Sequence, residues 1–183
     1  DNERITPLLC FSFLYSNQKN RTATSRKTNI EVMKMTNEKN IAELNELLKG
    51  LYMGIHSYDH YLKHCQNPII KQTLQKIQQE HKESAARLSE RIQNLNGTPV
   101  TDEGVMGSII NFMSRFTSPK IDEEIVEEAI RMEKKYAIHE AGKATKGDIN
   151  DEHKKLVDDI LETNQKQVET LQQLLERIKE GKT

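Results

Sequence analysis

The sequence predicts an all-α protein, a four-helix bundle in which two antiparallel helix hairpins are joined by a long crossover. Apolar residues recur every three or four positions over four long segments, which is typical of amphipathic helices. The 183 residues include only four Pro and eight Gly, and 30% of them are charged, a composition that favours long helices. The connection between the second and third segments is much longer than the other two.

The first predicted hairpin consists of helices over about residues 38–65 and 69–95. The apolar stripe of its first helix is Ile41, Leu44, Leu48, Leu51, Ile55, Tyr58 and Leu62. "QNPII" ends this helix, because Pro68 disfavours helical backbone at Asn67. The second helix ends at "NLNGTP", where a Gly C-cap signal is followed by Pro.

The second predicted hairpin follows a connection over residues 96–119, within which "GVMGSIINFMSRF" is apolar enough for a short helix. The third helix starts near "SPKIDEE" and ends near "KGD", and the fourth covers about residues 150–179. A connection of about 24 residues can return along a helix of about 40 Å, so the second and third helices should run parallel. A simple up-down bundle and a spectrin-like repeat are the alternative architectures.

The amino-terminal segment reads differently from the rest, so the predicted division is an arm over residues 1–35 and a bundle over residues 36–183. "LLCFSFLYS" is a short apolar run, and "NQKNRTATSRKTN" is polar and basic. Acidic Asp1 and Glu3 stand where a signal peptide carries positive charge. We expect a disordered arm, or sequence upstream of a natural start at Met33 or Met35.

Charge and composition exclude several function classes. The net charge of −1 gives no electrostatic reason to expect a nucleic acid or membrane partner. No apolar run approaches the roughly 20 residues that cross a bilayer. The two cysteines form no ligand or disulfide pattern, which favours the cytoplasm. The sequence has no Gly-rich phosphate loop, no nucleophile elbow and no Cys cluster.

The apolar stripe becomes polar near the middle of three predicted helices. His81 stands at a core position between Ile77 and Ala85. Counted from the turns near Asn67 and Asp148, the comparable positions lie about 14–16 residues away, or roughly 22 Å from the same end. The residues predicted to meet at this level are Leu51, His81, Ser84, Glu133, Asn164 and Gln167. Burying unpaired polar groups costs a few kcal/mol each, so such a layer is rarely accidental.

A family resemblance follows from these positions and from three stretches of sequence. Ferritin-like carboxylate proteins place one Glu on each of two helices and a Glu-x-x-His pair on each of the other two. "LNELLKGLYMGIHSYDHYL", "IQQEHKESAARLSERIQNLNGTPV" and "RMEKKYAIHEAG" resemble a bacterial family of ferritin-like helical proteins catalogued as a domain of unknown function. The resemblance covers roughly residues 38–180 and implies a ferritin-like four-helix bundle.

The resemblance also implies metal-ligand positions, most of which hold other residues in this chain. Glu133 resembles the lone Glu of the third helix, whereas Leu51 stands where the first helix would carry its Glu. The i, i+3 positions of the paired motifs hold His81 with Ser84 and Asn164 with Gln167. This chain is therefore similar to a ferritin-like protein with a depleted di-metal ligand set.

His81 and Glu133 remain as candidate metal ligands, a possible remnant site. Glu140 lies one heptad away, about 10 Å along the axis, and Glu80 and Glu83 flank the core face. A di-iron site needs about four carboxylates and two imidazoles. We therefore expect a hydrogen-bonded layer with no cofactor, in which His81 bonds to Glu133 or to a neighbouring amide.

Two functional hypotheses follow. The first is a non-catalytic cytoplasmic protein that acts through its surface or by self-association as a homo-oligomer. The alternative is a metal-dependent oxidoreductase, a ferroxidase or a peroxide-handling protein, that binds iron, manganese or zinc through His81 and Glu133. A DNA-coating ferritin relative would need a basic surface, which this sequence lacks.

A separate group of imidazoles lies in "HSYDHYLKH". His56, His60 and His64 follow one another at intervals of four residues, a spacing that can hold zinc, copper or nickel. Relative to the apolar stripe of the first helix, all three point to the solvated face. The pattern therefore favours adventitious metal binding at the surface over a dedicated metal site.

Overall fold

The computed structural model describes the backbone of residues 8–104, 107, 121–135 and 151–182, with side chains from residue 31 onward except at 151 and 152. Its long helices are α1 (Leu8–His64), α2 (Pro68–Asn94), α3 (Asp122–Met132) and α4 (Asp151–Lys179). The chain divides into two compact units, residues 1–39 and 40–183. The second unit contains the helical bundle. Most of the predicted short helix within 104–116 lies outside the described residues, although residues 104 and 107 are helical. The predicted continuation of the third helix from residue 136 toward residue 147 also lies outside them.

Helix α1 begins at Leu8, thirty residues before the start that the apolar periodicity predicts. The prediction rested on where the apolar stripe begins. A helix also continues wherever nothing breaks it, and no Gly or Pro occurs between Pro7 and Gly50. The division into an arm over 1–35 and a bundle over 36–183 stays a prediction.

The turn between α1 and α2 is fixed by side-chain caps. The side chain of Asn67 accepts a hydrogen bond from the amide of Ile69 at 2.8 Å, and so caps α2. The two carboxylate oxygens of Asp122, the first residue of α3, accept the amides of Gln66 and Asn67 at 2.8 Å each. The start of α3 therefore lies at the same end of the bundle as the start of α2.

The connection after α2 runs along α1 toward that end. The side-chain amide of Asn45 donates to the carbonyl of Thr98 at 3.1 Å. Four residues later along the connection, Asp102 Oδ1 lies 2.6 Å from His56 Nε2. The connection therefore passes along α1 from the level of Asn45 to the level of His56 before α3 begins. These contacts make α2 and α3 parallel, which confirms the long crossover and rules out a simple up-down bundle.

Helix α4 runs antiparallel to both α2 and α3. Three side-chain pairs fix these directions: Glu80 with Gln167 at 2.9 Å, Arg87 with Asp159 at 3.0 Å, and Glu127 with Lys179 at 3.0 Å. Residue numbers rise along α2 as they fall along α4, and the last turn of α4 lies beside the first turns of α3. The four helices therefore have the predicted directions.

The core consists of two apolar clusters, one on either side of the predicted polar level. The turn cluster, near the α1–α2 turn, contains Tyr58, Tyr61, Cys65, Ile70, Leu74, Ile77, Ile125, Val126, Ala129, Ile130, Leu171 and Leu174. The distal cluster contains Leu44, Leu47, Leu48, Leu51, Ile55, Ala85, Leu88, Ile92, Val157 and Ile160. The predicted core residues Leu48, Ile55, Ile77, Leu88, Val126, Ile160, Val168 and Leu171 are all buried.

Among the residues that the structure describes, no helix is both long enough and apolar enough to span a membrane.

Candidate functional site

Five polar side chains lie buried between the two apolar clusters. Their exposed fractions range from 0% for Asn164 to 6% for Ser84. The other three are His81 on α2, Glu133 just after α3 and Gln167 on α4. The predicted polar residues are thus all buried, and we refer to these five as the polar layer.

The strongest contact in the polar layer joins three helices through one oxygen atom. Glu133 Oε1 lies 2.8 Å from His81 Nε2 and accepts a hydrogen bond from the Tyr58 hydroxyl, also at 2.8 Å. For an ionised Glu133, the Nε2 atom of His81 must carry a hydrogen and donate it. Helices α1 and α2 are therefore hydrogen-bonded to the residue that ends α3.

Tyr58 is the donor that the sequence prediction missed. Tyr58 is 2% exposed, and burial followed by the negative charge of Glu133 raises its pKa well above the usual value. The hydroxyl thus keeps its proton and donates to the carboxylate. A signal was present in the sequence, because a Tyr on a core stripe needs a partner for its hydroxyl. The sequence alone did not identify Glu133 as that partner.

Local backbone structure sets the positions of these groups. Residues 133–135 form a π-helical turn directly after α3, and such turns change the direction in which side chains project. On α1, a Cβ atom added at Gly54 would lie 3.5 Å from His81 Nε2, in ordinary van der Waals contact, so the imidazole packs directly over the backbone of Gly54. Leu51, the α1 position predicted for this level, belongs to the distal cluster.

The α4 side of the polar layer connects to the protein surface. Gln167 Nε2 donates to Glu80 Oε2 at 2.9 Å, and the side chain of Glu80 is 31% exposed. The sequence predicts that Glu80 flanks the core face. The structure places its carboxylate at the edge of the layer, where it accepts the hydrogen bond from the Gln167 amide.

Several buried atoms of the layer have no hydrogen-bond partner among the described residues. They are His81 Nδ1, Glu133 Oε2 and Gln167 Oε1. Leaving a buried polar atom unpaired costs about 1–3 kcal/mol. These atoms therefore mark the part of the layer where a further contact would stabilise the protein most. Glu140, which the sequence places one heptad beyond Glu133, lies outside the described residues.

The donor set of the described layer does not fit a di-metal centre. Such a centre takes about four carboxylates and two imidazoles, whereas the layer offers one of each, Glu133 and His81. Glu80 is a second carboxylate, but it bonds to Gln167 at the rim. Within the described ranges, no cluster of three or more His, Cys, Asp or Glu side chains is arranged to hold a metal ion.

The α1 imidazoles lie apart from the polar layer. His56 contacts Asp102, while the rings of His60 and His64 lie side by side, with their centroids 4.7 Å apart. His64 is exposed, as the helical spacing predicts, and His60 is partly exposed. His56 was predicted to face solvent as well, but its side chain is only 22% exposed because Asp102 of the crossover contacts it.

The fold and the polar layer together define the class of this protein, a ferritin-like four-helix bundle. Dps from Thermosynechococcus elongatus is similar in structure, with a TM-score of 0.63 and 19% identity over 79% of this chain and 94% of that one. A dodecameric thioferritin, the bacterioferritin-related protein from Bacteroides fragilis, has a TM-score of 0.68 and 17% identity over 85% of this chain and 96% of that one. At these identities, the likeness establishes the fold.

Within this class, residues 39–147 match the family described as "Domain of unknown function (DUF2383)", and the chain belongs to that family. No curated protein sequence matches the chain. The resemblance deduced from the sequence, to a ferritin-like family catalogued as a domain of unknown function, is therefore confirmed.

Proposed function

We propose that this protein is a non-catalytic ferritin-like bundle that works through its surface by self-association. The observation that carries the proposal is the environment of Glu133, whose Oε1 atom is held by a hydroxyl and an imidazole at 2.8 Å each. In a di-metal protein, the corresponding carboxylate would face an ion. Here the hydroxyl of Tyr58 and the imidazole of His81 take that place. A location in the cytoplasm is part of this proposal.

The amide side chains of α4 also support a metal-free layer. Carboxylates and imidazoles bind iron, manganese and zinc much better than neutral amides do. Asn164 and Gln167 occupy the positions of a paired Glu-x-x-His motif, and Gln167 uses its amide nitrogen to bond Glu80. The amide nitrogen of Gln167 is used in this hydrogen bond, and its neutral amide oxygen is a weak ligand for these ions, so we infer that this side of the layer serves packing and hydrogen bonding.

Exposed apolar residues support the self-association part of the proposal. Ile69 and Ile121 are 44% and 56% exposed, although both are large aliphatic residues. They belong to the same end of the bundle, because Asp122 bonds the amide of Asn67. The Bacteroides fragilis relative is dodecameric by its description, and we extend assembly of copies to this chain.

Metal titration tests the non-catalytic part of the proposal. We expect Fe²⁺ and Mn²⁺ to leave the melting temperature unchanged, with no oxygen or peroxide consumption. Binding to the folded state at a hundred times Kd would add about 2.7 kcal/mol. Glu133→Gln is the matched control, because it removes the charge and keeps the shape. A metal-dependent rise that disappears in Glu133→Gln would overturn this part.

Sedimentation velocity tests the self-association part. The wild type should sediment as a species larger than the 21.2 kDa chain. Ile121→Asp should lower that mass, whereas Gln72→Asp, which adds the same charge at another exposed position of the bundle, should not. A monomer at every concentration would refute self-association and leave the metal result intact.

The second candidate function is a metal-dependent oxidoreductase, a ferroxidase or a peroxide-handling protein. One observation favours it: Glu133 Oε2 and His81 Nδ1 are buried and have no partner among the described residues. Iron, manganese or zinc would be the cofactor, with His81 and Glu133 as ligands. This candidate predicts Fe²⁺-dependent consumption of oxygen or peroxide that is abolished in both Glu133→Gln and His81→Gln.

A further inference from the structure

The carboxyl-terminal turns of α1 carry three imidazoles in two different environments. His56 Nε2 lies 2.6 Å from Asp102 Oδ1, and His56 Nδ1 lies 3.6 Å from Asp59 Oδ2. The structure gives the rings of His60 and His64 no hydrogen bond or ion pair with any described residue. Two of the three imidazoles are therefore available to bind something else, while the third is already held by carboxylates.

We propose that His60 and His64 form a surface site for one late first-row divalent cation, with Cu²⁺ preferred over Ni²⁺ and Zn²⁺. The two residues are one helical turn apart, and an i, i+4 pair of His side chains on one face of a helix is a known arrangement of metal ligands. This site is separate from the polar layer, and no part of the proposal depends on Glu133.

The distance between the two rings fits a shared ion. Metal–imidazole bonds are about 2.0–2.1 Å, and a ring nitrogen lies about 1.2 Å from the ring centre, so each centre lies roughly 3.2 Å from the ion. Two imidazoles that bind one ion at angles of about 90–109° therefore have centres about 4.5–5.2 Å apart. The rings of His60 and His64 have centroids 4.7 Å apart and planes tilted by 58°. The observed separation of the ring centroids therefore lies within the range for two imidazoles that share one ion.

His60 is partly exposed. His64 is exposed, so an ion at this pair remains in contact with solvent.

The ligand types decide which ions bind. Imidazole suits copper, nickel and zinc, and affinity for nitrogen ligands rises to Cu²⁺ and then falls at Zn²⁺. Calcium and magnesium prefer carboxylate oxygens, and no third His, Cys, Asp or Glu among the described residues completes a cluster here. Water fills the remaining coordination positions of the ion, so the ion binds more weakly than at a structural site with four protein ligands.

Calorimetric titration with Cu²⁺ tests this site. We expect one ion per chain, with affinity lowered at least about tenfold in either His60→Asn or His64→Asn, a loss of about 1.4 kcal/mol. His56→Asn is the matched control, since it makes the same change in the imidazole that the carboxylates hold, and it should keep the affinity. Glu133→Gln should also keep it, which separates this site from the core.

A second measurement does not depend on variants. Substoichiometric Cu²⁺ should broaden the ring proton resonances of His60 and His64 before those of His56 and His81 in the nuclear magnetic resonance spectrum of the wild type. Broadening that begins at His56, or wild-type affinity in both His60→Asn and His64→Asn, would overturn the proposal.

Discussion

Removing the Tyr58 hydroxyl should destabilise the bundle more than any other single loss of an O–H group in the described core. The hydroxyl donates to Glu133 Oε1 at 2.8 Å, and the two residues are 2% and 3% exposed. A hydrogen bond to a charged group contributes about 1.5–3 kcal/mol. Tyr58→Phe keeps the ring and its edge-on contact with Tyr61, so the expected loss of unfolding free energy is about 1.5–3 kcal/mol. The melting temperature should fall by about 3–12 °C.

Urea denaturation followed by circular dichroism measures this loss. Tyr61→Phe is the matched control, because Tyr61 is 4% exposed and its hydroxyl bonds to no described residue. A double-mutant cycle identifies the partner: in a Glu133→Gln background, Tyr58→Phe should cost clearly less, with a coupling of at least about 0.5 kcal/mol. Equal losses for the two Tyr→Phe changes, or additive losses in the cycle, would refute the assignment.

The same variant should change the pH dependence of stability. Burial and Glu133 raise the pKa of Tyr58 in the folded protein, whereas the unfolded chain releases the proton near pH 10. The folded state therefore binds more protons above pH 10. The stability from this group is fully present below pH 10 and is lost at about 1.4 kcal/mol per pH unit above it. Tyr58→Phe should lose stability less steeply than the wild type between pH 10 and 11.5, and parallel curves would contradict this sign.

Two further predictions concern positions outside the polar layer. A Cβ at Gly97 would lie 2.8 Å from Ile41 Cγ2, so Gly97→Ala should cost about 1–3 kcal/mol. Gly50→Ala is its control, since nothing lies within 4 Å of the added Cβ, and the better helix former should stabilise by about 1 kcal/mol. Burial and Asp122 raise the pKa of Cys65 from 9.0 to about 11. In a Cys10→Ser protein, ultraviolet titration of the remaining thiolate should therefore have its midpoint near that value, and a midpoint at 9.0 would contradict it.

The helix directions could be predicted because the sequence marks both the buried faces and the breaks. The turn at Asn67 and Pro68 separates α1 from α2, and each helix boundary lies within one residue of the predicted position. The length of the connection after α2 excludes a tight hairpin, and the contacts of Asn45 and His56 with it show the result. The start of α1 was not predictable in the same way, because apolar periodicity reports burial and a helix does not require burial to continue.

The level of the polar layer was predictable, but its hydrogen bonds were only partly so. A rise of 1.5 Å per residue places His81 and Glu133 at one height from residue counts alone, and their side chains do meet at 2.8 Å. The partners of Tyr58 and Gln167 depend on rotamers and on the π-helical turn after α3, which residue spacing does not encode. Counting residues along the helices therefore locates the polar layer, whereas the direction of each side chain can be known only from the structure.

The stability of the fold alone does not explain a polar layer in this position. Apolar side chains of similar size would join the turn cluster to the distal cluster and would often stabilise a core as well or better. The layer does, however, distinguish one axial register of the helices from others. If α4 shifted by one heptad against α2, Gln167 would leave Glu80 and lie at the level of Thr73 or Arg87, and a buried group left without a partner costs about 1–3 kcal/mol. We therefore interpret His81, Glu133, Tyr58 and Gln167 as groups that fix the helix register, as buried polar residues do in coiled coils.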